Sequence, residues 1–68
     1  MTPEIMKEAS LMLAKYGKEE AIEECESNAI IWQQDIEELK VYDYETVSKL
    51  EARRNFWFSV ASRIKEMV

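Results

Sequence analysis

Apolar residues recur along this chain at intervals of three and four, the spacing of one face of an α-helix. Ile5, Ala9, Met12 and Tyr16 form the first such row, widened by Met6 and Leu13. Ile22, Cys25, Ala29, Trp32, Ile36 and Leu39 form the second and clearest, a seam of coiled-coil character. Val47, Leu50, Trp57, Val60, Ala61, Ile64 and Met67 or Val68 form the third. The breaks between rows carry stop and start signals. Thr2 and Pro3 suit the N-cap and first position of a helix. Gly17, the only glycine, comes after the first row where a left-handed C-cap is expected. Val41, Tyr42 and Asp43 read as a turn, with Asp43 capping the third helix. The pattern predicts an all-α domain over residues 1–68, with a short helix at about 3–16. A long hairpin comes next, at about 18–41 and 44–67, antiparallel because its connection is short.

Length changes this picture. A domain of 68 residues seldom gains more than ~3–5 kcal/mol from its own core and usually needs a staple. A single cysteine excludes an internal disulfide, and with no histidine a zinc site has too few ligands. Self-association is the expected remedy. Ile30 and Ile31 support it, because both lie off the helix 2 seam, Ile31 by about 120° and Ile30 further. They would contact the first helix or a second subunit. Phe56, Trp57 and Phe58 together span about 200° of the third helix, more than one neighbour can cover. Ile30, Ile31, Trp32 and Phe58 are the candidate oligomer-interface residues.

Charge sharpens the arrangement. The chain carries a net −5, but residues 1–43 hold eleven acids and four bases, while residues 44–68 hold three acids and five bases. Opposite charge on facing helices guides their pairing. The acidic total argues against nucleic-acid binding. No apolar run reaches the ~20 residues that span a bilayer. The first residues lack the basic segment and apolar core of a signal peptide, and an unpaired cysteine suits a reducing cytoplasm.

Candidate chemistry is sparse. No catalytic or metal motif is present, and no cofactor is expected. Glu-x-x-His pairs of the di-metal bundles are missing. Glu23 with Glu26, or Glu20 with Glu24, has helical spacing for a hard cation but reads first as a solvated face. Cys25 sits in the seam as a small hydrophobe, with no histidine to activate it. Arg53 and Arg54 stand out, because both fall on or beside the apolar stripe of the third helix. They can reach the bundle edge, pair with Asp35, Glu37 or Glu38, or hold an anion with the guanidinium fork. Thr46 and Asn55 are placed to add hydrogen bonds. An anion site would combine Arg53 and Arg54 with Trp57, Phe56 or Tyr44 as a stacking surface.

The stretches Lys15-Tyr16-Gly17-Lys18-Glu19-Glu20-Ala21-Ile22 and Arg54-Asn55-Phe56-Trp57-Phe58-Ser59-Val60 resemble patterns in short helical-hairpin proteins of bacteriophages and mobile elements. Some of those assemble into oligomers and sequester nucleotide immune signals. The resemblance implies a non-enzymatic homo-oligomer that binds a nucleotide-like anion at a subunit junction in the host cytoplasm. The alternative is an adaptor or inhibitor whose acidic second helix engages a host protein.

Overall fold

The computed structural model describes residues 3–39 and 44–67. They form three helices: α1 over Pro3–Tyr16, α2 over Lys18–Leu39 and α3 over Tyr44–Glu66. The third helix ends one residue short of the expected 67. The capping roles expected of Thr2 and Asp43, and the end of the second helix at 41, lie outside the described residues.

Gly17 makes the first junction. Its φ of 83° is the left-handed conformation that a side chain disfavours. Its N–H donates to the Leu13 carbonyl at 2.9 Å, closing α1. Its own carbonyl accepts from the Ala21 N–H at 2.9 Å, opening α2. One residue thus ends one helix and begins the next. No room remains for a loop, so α1 must fold back along the hairpin. At the far end, the Met67 N–H is shared between the Arg63 and Ile64 carbonyls at 3.1 and 3.0 Å.

The hairpin of α2 and α3 provides the longest contact in the fold, and α1 lies against it. The main core gathers where all three helices meet. Ala9, Ala21, Cys25, Val60, Ala61 and Ile64 are buried there, ringed by Ile5, Met12, Leu13, Tyr16, Ile22, Phe56, Trp57 and Met67. Most of the fully enclosed side chains are small, which lets the helix axes approach closely. Farther along the hairpin, Ala29, Ile36 and Val47 are buried in turn. The molecule measures 41 × 21 × 16 Å, with a radius of gyration of 12.9 Å. A globular chain of this length would give about 11 Å, so the shape is a short rod.

Ala21 belongs to this core although the apolar row of α2 places Ile22 at that level. Ile22 lies at the edge of the seam, half-buried. No buried polar or charged residue occurs among the described residues.

Candidate functional site

The three helices differ in length, and the site arises from that difference. α1 has 14 residues and α2 has 22, a difference of about 12 Å at ~1.5 Å per residue. α1 therefore covers only part of the hairpin. At its first turn the groove it fills opens into a cleft of about 560 Å³. Glu4 of α1, Trp32 of α2, and Lys49, Leu50, Ala52, Arg53 and Phe56 of α3 line it.

The cleft brings two kinds of surface together. Trp32, Leu50 and Phe56 are apolar and half-buried. Phe56 is braced by an edge-on contact with Trp57, with ring centroids 5.4 Å apart at 83°. Lys49 and Arg53 are one turn apart on α3, so their charges fall on the same edge. Arg53 is exposed and makes no hydrogen bond or ion pair among the described residues. Two cations therefore stand beside an aromatic wall. Glu4 faces them from α1 and places one negative charge on the opposite rim.

The two adjacent arginines part company. They are about 100° apart around the helix, and Trp57 lies between them. Arg53 turns to the cleft. Arg54 turns to the other flank, where its Nη1 donates to the Gln33 amide oxygen. Its Nε and Nη2 donate to the Asn55 side-chain oxygen at 3.1 and 3.0 Å. Gln33 passes the contact on, its Nε2 donating to Glu37 at 3.3 Å. Of the outcomes open to Arg54, a link to a helix 2 acid is made only through a neutral amide, Gln33, to Glu37.

Of the other expected ligand residues, Phe56 lines the cleft and Trp57 supports it from the core. Tyr44 is 83% exposed and is not among the cleft-lining residues. Trp32, a candidate oligomer-interface residue, lines the cleft. Lys49 and Glu4 carry no signal for this site in the sequence, since only the placement of α1 against the hairpin brings them to this spot. Ile30, Ile31 and Phe58 are exposed at 53%, 56% and 44%, so α1 does not bury the isoleucine pair.

Cys25 is fully enclosed. Burial pushes its thiol up from 9.0 to about 11, and the negative charges of Glu8, Glu24 and Glu26 push the same way. A thiol held protonated is a poor nucleophile. No group of three or more potential metal ligands occurs among the described residues. No described helix is long and apolar enough to cross a membrane. No protein-family model matches the chain, and no curated protein or solved structure shows significant similarity to it.

Proposed function

We propose that this chain is a non-enzymatic, self-associating helical protein that binds a small nucleotide-like anion in the cleft at the first turn of α1. The observation that carries this reading is Arg53, an exposed guanidinium without a protein partner among the described residues, set beside Lys49 and an aromatic wall. A phosphate takes the guanidinium fork and the lysine charge. A flat base takes Trp32 or Phe56, because every base has a π-face. Glu4 repels a second phosphate at its rim and accepts from an amino group or a ribose hydroxyl. On this reading Lys49 and Arg53 hold the ligand by charge, and the buried Cys25 thiol takes no part in it. On the same reading the chain sequesters a nucleotide signal in the cytoplasm, the role that the resemblance of its two sequence stretches to phage helical-hairpin proteins implies.

The test is thermal unfolding against a panel of mono-, di- and cyclic nucleotides. A ligand that binds only the folded state raises the melting temperature. Arg53→Ala should abolish the rise, and Lys49→Ala should weaken it. A flat response across the whole panel would falsify the reading.

One observation favours a second reading, an adaptor for a basic host protein. On the outer face of α2, Ile31 is exposed at 56% with Ser27 and Asp35 one turn away and Glu24 and Glu38 two turns away. An apolar centre within an acidic strip suits a basic helix. Binding of an amphipathic Lys-rich peptide that Ile31→Glu destroys would support it.

A further inference from the structure

A second surface stands apart from the cleft. Two cross-helix bonds mark one flank of the hairpin. Gln33 meets Arg54, and Glu26 meets Lys65 at 3.1 Å. These bonds mark which residues stand level in the antiparallel pair. Ile30 lies between Glu26 and Gln33 on α2, and Phe58 lies between Arg54 and Lys65 on α3, so the two stand level. Each is within one turn of a bridging residue on the same row. Phe56, on the side covered by α1, is about 200° round the helix from Phe58. Ile30 and Phe58 therefore face away from α1, and they remain exposed at 53% and 44%.

We infer that a second copy of this chain covers this flank, its α3 lying over α2 of the first. Charge decides the partner and its orientation. α2 carries eight acids and one base, whereas α3 carries five bases and three acids. Setting α2 on α2 would bring two strongly acidic helices together. A two-fold axis running along the rod instead sets α2 against α3 in both halves of the interface, antiparallel, with the charges matched. Rotation about that axis preserves level. Ile30 then meets Phe58 of the partner subunit, and the same contact recurs at the symmetry-related position. Arg54, which among the described residues meets only neutral oxygens of its own chain, faces the acidic edge of the partner's α2.

Area is consistent with this. The flank is about 33 Å long and two helix diameters wide, on the order of 700 Å². A standard interface takes about 800 Å² from each partner. Ile31 lies round the helix from this flank and has no part in the contact. The inference deepens the self-association in the proposed function, and it does not depend on the cleft, which opens on the opposite side.

Sedimentation equilibrium and cysteine cross-linking test it. The wild-type chain should sediment as a dimer in the micromolar range. Ile30→Glu should yield a monomer of unchanged helical circular dichroism, and Ile31→Glu should remain dimeric. Mixed chains carrying Ile30→Cys and Phe58→Cys should form the hetero-disulfide in excess of its statistical half. A wild type still monomeric at about 100 µM, where an interface of even micromolar affinity would be filled, would overturn the inference. So would a dimer surviving Ile30→Glu, or a predominance of Ile30→Cys homodisulfide. Nucleotide-induced stabilisation measured on the Ile30→Glu monomer separates the two proposals, because the cleft lies within one chain.

Discussion

Arg54 of α3 donates to the side-chain oxygen of Gln33 on α2, across 21 positions of sequence. A neutral amide here takes the place that an acid of α2 could have filled. It satisfies a half-buried guanidinium, and its free N–H side reaches Glu37. Gln33→Leu should therefore destabilise the fold by about 1–2 kcal/mol, since the guanidinium loses a cross-helix acceptor. Gln33→Glu should lie within about 0.5 kcal/mol of the wild type. Its gain from facing Arg54 is that of a partly exposed ion pair, and its new charge repels Glu37 one turn away. Urea midpoints of the two variants check both values.

The thiol of Cys25 makes stability fall at alkaline pH. Its pKa is about 11 when folded, against 9.0 for the free group. Below pH 9 both states keep the proton and the group has no effect. Between about pH 9 and 11 the unfolded chain releases it while the folded chain does not, which favours unfolding. The loss should approach ~2 kcal/mol at the upper end of that window. Cys25→Ala should flatten this part of the stability profile. At pH 8 the native thiol should resist a thiol-specific reagent that labels the urea-unfolded chain at once.

At Gly17 the backbone carries the constraint. A methyl group added there would meet nothing within 4 Å, so only the positive φ opposes it. Gly17→Ala should cost about 1 kcal/mol, with no change in the urea m-value. Gly17→Asn should cost less, because asparagine tolerates this conformation better. A loss well above ~2 kcal/mol for alanine would mean that more than the positive φ opposes a side chain at this junction.

Burial separates residues that look alike in the sequence. Ile64 is fully enclosed where the three helices meet, whereas Leu11 on α1 is 55% exposed. Ile64→Ala should cost about 2–4 kcal/mol through lost contact and a residual cavity. Leu11→Ala should stay within about 0.5 kcal/mol, as exposed positions generally do. Thermal melts monitored by circular dichroism distinguish the two.

The helices can be read from the sequence because their signals are local. Gly17 and the 3–4 spacing of the apolar rows place α1 and α2 to within a residue wherever the structure describes them. The cleft cannot be read in the same way. It exists because α1 is shorter than the hairpin and folds back along one flank, and neither row of residues states which flank. Trp32 carries no sign of a cleft for that reason, and Lys49 carries no signal at all. Arg53 and Arg54 are legible as misplaced charges. Their separation to opposite sides of the hairpin depends on the 100° step between neighbours and on which side α1 covers. Ala21 escapes the apolar pattern because alanine contributes little to it, although in the fold it is fully buried.

The small side chains of the core have a consequence for the thermodynamics of so short a chain. Ala9, Ala21, Ala29 and Ala61 are at most 2% exposed, and alanine has no rotamer freedom to lose on burial. Ordering these positions costs backbone entropy alone, and alanine also has the highest intrinsic helix propensity. The helices can therefore be brought together with a smaller entropic penalty than a leucine-filled core would impose. Replacing these alanines with larger apolar residues would add hydrophobic area, but would also add conformations to be frozen and force the helix axes apart.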